Sequence, residues 1–366
     1  MEGIAIELSP NTPKYRQVEA ILRRRIESGE FPIGYPLPST TTMAQQIGVH
    51  PLTLQKALRR LKNDGLIDRT PRLGSFVRGP VGAPAIALLS GPSLSDEYTH
   101  FYRVLMRALQ DDSSPQWLTR VYDGLAFSER GPSPDTRNTF PALQKDCGLI
   151  PFRGMIVSGL DKRPWKRIDS LSRLPCAWLG RVEDGADITF DYGDFARSAV
   201  AYFARRNRRH VAYLRTFGYL PWARHDIPAF KATASECGTE RTEIHDLDAL
   251  HRDACDEHAT YESVQSILRG WSQTRWPDAI LVSDDVVMRA VALALLNAEH
   301  PGARQVELVT WANDKVRFHY GIPTARYDVP VDYCAQRLKD ILSQRMDGKT
   351  PENIPERIRG RIVESA

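Results

Sequence analysis

The segment from Leu37 to Arg78 limits the fold more than any other part of the chain. It reads LPSTTTMAQQIGVHPLTLQKALRRLKNDGLIDRTPRLGSFVR. Ser39 is placed to cap a short helix whose apolar side carries Met43, Ala44 and Ile47, its hydroxyl accepting a free N–H of the first turn. Gly48 breaks that helix. Pro51 stands where a second one begins, a position at which its missing N–H costs nothing. Leu54, Ala57, Leu58 and Leu61 then recur at spacings of three and four, forming one buried stripe, and Gly65 ends the helix. Leu66–Arg69 and Ser75–Arg78 alternate around a turn at Pro71–Gly74, as the strands of a hairpin do. Helix, turn, helix and hairpin make a winged helix-turn-helix, whose second helix can enter a DNA major groove. Ahead of it, Lys14–Ser28 puts Tyr15, Val18, Ile21, Leu22 and Ile26 on one face, a third helix to pack behind the other two.

Charge agrees with that shape. Residues 1–79 hold twelve Lys and Arg against seven Asp and Glu, a balance of +5, whereas the rest of the 366-residue chain holds thirty-seven against thirty-eight. Positive charge is concentrated in the head, where phosphate neutralisation needs it. Thr53, Gln55, Lys56 and Arg59 lie along the recognition helix. Gln55 can pair bidentately with an adenine edge. Lys56 and Arg59 can neutralise phosphates, and Arg69 and Arg72 in the hairpin suit the DNA backbone or minor groove. An ordinary solvated helix face is the plain alternative for each.

Lys14 to Arg78 resembles the head of the GntR family of bacterial transcription regulators. The matching residues are Tyr15, Gln17, Ser28-Gly29-Glu30, Gly34, Leu37-Pro38-Ser39, Ala44, Gly48-Val49, Ala57-Leu58, Leu61, Gly65-Leu66-Ile67 and Gly74-Ser75-Phe76-Val77. Departures accompany the likeness. Thr41 stands where the family carries an arginine in its Pro-Ser-x-Arg segment. His50-Pro51 and Gln55 occupy the places of Ser-Arg and a further Arg. The resemblance implies DNA contacts at Thr41 and His50 as well, with an operator unlike the usual one.

Past Arg78 the composition breaks. Two prolines and two glycines between residues 78 and 84 cannot sustain a helix, so 79–84 reads as a linker between a head at 1–78 and a body at 85–366. In the body, short apolar runs read as buried parallel strands: Ala85–Ser90, Gly154–Ser158, Cys176–Leu179, His210–Leu214, Ala279–Ser283 and Val306–Trp311. Amphipathic segments between them, including Phe101–Gln110, Phe195–Arg206, Tyr261–Gln273 and Val286–Ala298, read as helices. Such alternation predicts an α/β body with parallel sheets, whose ligands bind outside the carboxyl ends of the strands. Five scattered cysteines without a Cys-x-x-Cys suit a reducing cytoplasm. No apolar run approaches the roughly twenty residues of a membrane span, so a soluble cytoplasmic protein without membrane contact is expected.

The body has its own resemblance. Ile188–Gly238, Ala279–Asn313 and Ile322–Ala366 are similar to the middle, the later half and the C-terminal crossover of a LacI-type effector domain. A GntR-type head on such a body resembles the arabinose-repressor subgroup. The likeness implies two sheet lobes joined by three crossovers, with a small molecule, usually a sugar, in the cleft. Carried over residue by residue, it places a polar contact at Asp284 and an Asn, Asn313, where the family has a sugar-binding Asp. It also brings forward the segment containing Trp222 and Arg224, where Asp226 falls at the family's Arg place. Asp191, after a strand and before a helix, is either an N-cap or a sugar contact. Asp194, one turn in, is a second candidate. Trp311 offers either a flat face for a sugar ring or a core side chain.

His245, Asp246, His251, Asp253, Cys255 and His258 lack the spacing of a metal site, so no metal is expected there. The chain has no Gly-x-Ser-x-Gly elbow, phosphate loop or dinucleotide fingerprint, and no cofactor or catalysis is expected. The function expected is therefore a ligand-responsive transcription regulator, a repressor. It would bind double-stranded operator DNA as a homodimer and a neutral sugar or polyol as effector. The alternatives are a GntR-headed enzyme and a regulator whose body binds a non-sugar ligand.

Overall fold

The computed structural model describes residues 12–27, 30–31, 35–70, 74–77, 85–91, 94, 100–111, 117–123, 140–147, 150–160, 169–182, 185–216, 226–247, 257–273, 275–349 and 355–364. The chain divides into two compact units. The first comprises Met1–Ala126, Pro132–Trp178 and Leu338–Pro351, the second Phe127–Gly131, Leu179–Arg337 and Glu352–Ala366.

The head lies in the first unit and runs α1 (Lys14–Glu27), β1 (Pro36–Leu37), α2 (Thr40–Ile47), α3 (Pro51–Asn63), β2 (Ile67–Thr70) and β3 (Gly74–Val77). Ser39 caps α2, its hydroxyl accepting the Thr42 N–H at 3.1 Å. Gly48 ends the helix at φ 75°, where its N–H reaches the carbonyls of Ala44 and Gln45. A side chain with a Cβ is strained in that left-handed conformation, so glycine makes the tight turn into α3. Val18 and Leu22 of α1, Met43, Ala44 and Ile47 of α2, and Leu54, Ala57, Leu58 and Leu61 of α3 close one core with Ile67 and Val77. The three strands lie antiparallel in the order β1-β3-β2.

The remainder of the first unit carries β4 (Ala85–Ser90), α4 (His100–Gln110), β5 (Thr119–Asp123), α5 (Pro141–Asp146), β6 (Phe152–Ser158), α6 (Asp169–Ser172) and most of β7 (Cys176–Leu179). Every residue of β4 is buried, as expected of a strand paired in parallel on both sides, here with β5 and β6.

The second unit follows with β8 (Ile188–Phe190), α7 (Tyr192–Arg205), β9 (His210–Arg215), α8 (Asp226–Glu236), β10 (Arg241–Asp246), α9 (Glu257–Gln273), β11 (Ala279–Val282), α10 (Asp285–Leu296), β12 (Glu307–Asn313) and β13 (Ala325–Val329). The helix α11 (Val331–Met346) runs across the division between the units, and β14 (Glu356–Ile358) and β15 (Arg361–Val363) return to the second. Its main sheet has the order β10-β9-β11-β12-β13-β15, parallel except for β15. The buried Leu214, Ile280, Val282, Met288, Val291 and Leu295 lie in one core beneath α9 and α10. Within α11, the 2 %-exposed Lys339 donates to the carbonyls of Ala108 at 3.1 Å and Asp111 at 3.3 Å, closing the end of α4 in the first unit.

The expected apolar strands are all present, Ala85–Ser90 and Cys176–Leu179 with the expected bounds and the other four with shifted ends. Val306–Trp311 is displaced to Glu307–Asn313, so Asn313 is the last residue of a strand rather than part of the following loop. The helix expected from Phe195 starts at Tyr192, which puts Asp194 in its first turn. The wing strands are Ile67–Thr70 and Gly74–Val77, one residue off the expected pairing at either end. The strands β5 and β10 had no apolar run to announce them. Each is the edge of its sheet, and an edge strand needs burial on fewer sides. The linker at 79–84, Arg72, Trp222, Arg224, His251, Asp253 and Cys255 lie outside the described residues.

Candidate nucleic-acid interface and effector site

The recognition helix α3 starts on a side chain rather than a bare end. His50 Nδ1 accepts the Leu52 N–H at 3.3 Å, and Pro51 fills the first helical position. Leu54, Ala57, Leu58 and Leu61 are buried. Gln55, Lys56 and Arg59 are exposed on the opposite face, and Thr53 is half-buried at its margin. Lys56 Nζ rests over the Tyr15 ring, 4.0 Å from its centroid. Thr41 is exposed on α2. Arg69 in the wing lies 3.5 Å from the Thr40 hydroxyl.

Arg23 and Arg60 of the head are held by its own acids. Glu19, 9 % exposed, accepts from Arg60 Nε at 2.5 Å and from Arg23 at 3.0 Å, and Arg23 also pairs with Asp64. These bonds tie α1 to α3. Part of the head's positive charge is thus paired within the head, while Lys56 and Arg59 stand exposed on α3.

In the second unit, the candidates Asp284 and Asn313 both lie at the carboxyl edge of the main sheet. β11 and β12 pair in parallel with Val282 beside Thr310; Asn313 is the last residue of β12 and Asp284 follows the end of β11 by two residues, on the side of a parallel sheet where ligands bind. Both also shape their own loops. Asp284 caps α10, its Oδ1 accepting the Val286 N–H at 2.8 Å. Asn313, 2 % exposed, accepts the N–H groups of Lys315 at 3.1 Å and Val316 at 2.9 Å through Oδ1. Those two bonds fix its amide orientation. Beside them Ser283 Oγ accepts the Thr216 N–H at 3.0 Å.

Asp191 is the N-cap of α7, its Oδ1 accepting the Asp194 N–H at 2.9 Å. Its buried carboxylate also faces Arg197 at 3.5 Å and Arg359 at 3.4 Å, and Asp194 faces the same two guanidinium groups at 3.7 and 3.8 Å. Two acids thus meet two arginines. Trp311 sits in an aromatic cluster with Phe190, Tyr192, Phe195 and Tyr327, at centroid separations between 4.9 and 5.4 Å. It is half-buried, so its ring is both packed and partly open. The rings of Phe190 and Tyr192 flank Asp191 in sequence and bring its loop to Trp311.

Asp226, at the place where the resemblance implies an arginine, has a cation supplied from elsewhere. Arg215 at the end of β9, 1 % exposed, pairs with Asp226 at 3.2 Å and with Asp246 at 2.9 Å, and the Tyr213 hydroxyl also donates to Asp226. Burial raises the Asp226 pKa above its ordinary value against the opposing pull of Tyr213 and Arg215. Burial also pushes the Tyr213 hydroxyl well above the tyrosine range, so it stays a donor.

Sequence reasoning missed Arg197, Arg359 and Tyr327. Arg197 was within reach, since it follows Asp194 by three positions on one helix face. Arg359 and Tyr327 stand more than a hundred residues from Asp191 and carried no local signal. Among the described residues no cluster of three or more His, Cys, Asp or Glu could hold a metal ion.

Residues 14–77 match the model of bacterial regulatory proteins of the gntR family, and this part of the chain is a gntR-type helix-turn-helix domain. The histidine utilization repressor of Pseudomonas aeruginosa is 35% identical over 74 residues, 20% of this chain and 30% of that protein's length. The chain thus spans under a third of that curated relative. The lac repressor dimer bound to operator and the anti-inducer ONPF aligns with a TM-score of 0.55 at 12% identity, over 76% of this chain and 92% of that one. The transcriptional regulator CelR in complex with cellobiose gives 0.58 at 13%, over 90% and 99%. At such identities the likeness is one of fold: an N-terminal helix-turn-helix domain followed by α/β units with parallel sheets.

Proposed function

We propose that the chain is a ligand-responsive transcription regulator that works as a cytoplasmic homodimer and represses until its effector binds. In this reading residues 1–78 form the DNA-binding domain, 79–84 the linker and 85–366 the effector-binding and dimerisation part. Double-stranded operator DNA is bound through Thr41, His50, Thr53, Gln55, Lys56, Arg59, Arg69 and Arg72. The observation that carries the DNA reading is the two-sided recognition helix, with four apolar residues buried and Gln55, Lys56 and Arg59 exposed on a basic head. The relatives matched by the head include a histidine utilization repressor and the transcriptional repressor NagR. None of the described helices is long and apolar enough to cross a membrane.

The effector is a neutral sugar or polyol held by Asp284 and Asn313, with Asp191, Asp194, Trp311, Trp222 and Arg224 as further contacts. Supporting this is the balance of two acids and two arginines around Asp191, which offers hydroxyl groups donors and acceptors together without a net charge to attract an anion. The effector changes DNA affinity only by as much as it prefers one state of the protein.

Anisotropy with duplexes selected from a randomised library tests the DNA part. Affinity should fall steeply between low and physiological salt through counterion release, and a flat response would defeat the reading. Thermal shift against monosaccharides, cellobiose and sugar phosphates tests the effector. A rise in Tm with a neutral sugar, and none with phosphates, is expected; a response to the phosphates alone would replace the ligand class.

A further inference from the structure

The recognition helix presents an apolar side chain to solvent where the head's own packing has no use for it. Leu52, the second residue of α3, is 67% exposed, more than any other large hydrophobic among the described residues. It is not a frayed end. Its N–H reaches His50 Nδ1, and the N–H groups of Thr53 and Leu54 reach the His50 carbonyl at 2.9 and 3.3 Å. The first turn is closed, and helix geometry fixes where the side chain stands.

Leu52, Gln55, Lys56 and Arg59 are spaced i, i+3, i+4 and i+7, so they form one stripe. That stripe lies opposite the buried Leu54, Ala57, Leu58 and Leu61. The leucine therefore belongs to the face that carries the exposed cations, and the occupant of a face so charged is polyanionic. The N-terminal turn of a recognition helix is the part that meets base edges. On the floor of a major groove the apolar feature is the C5 methyl of thymine. Residues 50–58 contain no arginine, and Lys56, the one cation of that stretch, rests over the Tyr15 ring.

We propose that Leu52 is a specificity-determining residue that reads a thymine methyl group in each operator half-site. Gln55 stands about 4.5 Å further along the helix axis, comparable with the step of about 3.4 Å between base pairs. An adenine contact by Gln55 thus falls on the neighbouring pair, and the two residues together select a short A·T-containing step. This inference rests on the DNA-binding reading above and adds the base feature that is read.

The test uses the full chain and a duplex selected from a randomised library, with each thymine replaced in turn by deoxyuridine. That replacement keeps base pairing and removes only the methyl group. The parent protein should lose about fourfold in affinity at one thymine per half-site, the worth of one buried methyl. Leu52→Ala should bind the thymine and uracil duplexes equally, with an unchanged salt slope because no phosphate contact is lost. Indifference of the parent protein to uracil at every position overturns the proposal. So does a Leu52→Ala variant that remains as sensitive to the methyl as its parent. If no duplex is enriched and no salt-dependent binding is seen, the DNA-binding reading itself fails, an outcome distinct from the other two.

Discussion

The Tyr327 hydroxyl donates to Asp194 Oδ2 at 2.7 Å while accepting the Gly360 N–H, also at 2.7 Å. One fully buried phenol thereby joins the first turn of α7 to the segment that carries Arg359. Burial pushes its ionisation above the tyrosine range, with the neighbouring Asp194 adding to the shift, so the phenol remains a neutral donor. Tyr327→Phe should destabilise the protein by about 1–3 kcal/mol, because the half-buried Gly360 N–H loses its acceptor and Asp194 loses a donor. Gly360→Ala should cost more. An added Cβ would lie 2.6 Å from Tyr327 Cε1 and 2.7 Å from the Asp328 carbonyl, and backbone would have to move. Urea midpoints of the two variants check both expectations, and an unchanged midpoint for Tyr327→Phe would contradict them.

Acid stability should depend on Glu243. Burial alone would raise its pKa, but the Trp271 N–H at 2.9 Å and the His210 and His245 rings at 2.7 and 3.2 Å outweigh that and hold it below its ordinary 4.5. A carboxyl depressed in the fold contributes stability that is complete above 4.5 and is lost as pH falls toward the folded value. Glu243→Gln should flatten that limb. The measurement is the urea midpoint at a series of pH values between about 3 and 6. Parallel curves for parent and variant would sink the assignment.

Gln55→Ala should relax base preference at one position per half-site, costing about 1–3 kcal/mol there and little elsewhere. Competition among single-base variants of the selected duplex reads this directly. Uniform weakening across all variants would instead make Gln55 a residue that positions the helix.

Asp284→Asn separates the effector contact from the helix cap. The amide oxygen still caps α10, so folding should be retained while the carboxylate is lost. Thermal stabilisation by a neutral sugar that works on the parent protein should disappear, with DNA affinity unchanged in the absence of sugar. Equal stabilisation of parent and variant would remove Asp284 from the effector site.

Local pattern was enough wherever one element carries its own signal. Ser39, Gly48, Pro51 and the Leu54–Leu61 stripe specify the helix-turn-helix because caps, breaks and 3.6-residue periodicity act over a few residues. The interior strands β4, β9 and β11 were readable for the same reason, being apolar on both faces. Tertiary structure alone decided the rest. The polar edge strand β10 forms because β9 offers it a hydrogen-bonding partner. Likewise, the Arg359–Asp191 and Tyr327–Asp194 pairs bridge 168 and 133 positions of chain. Charge and hydrogen bonding act over a few ångströms of space, and only the folded backbone brings such distant residues that close.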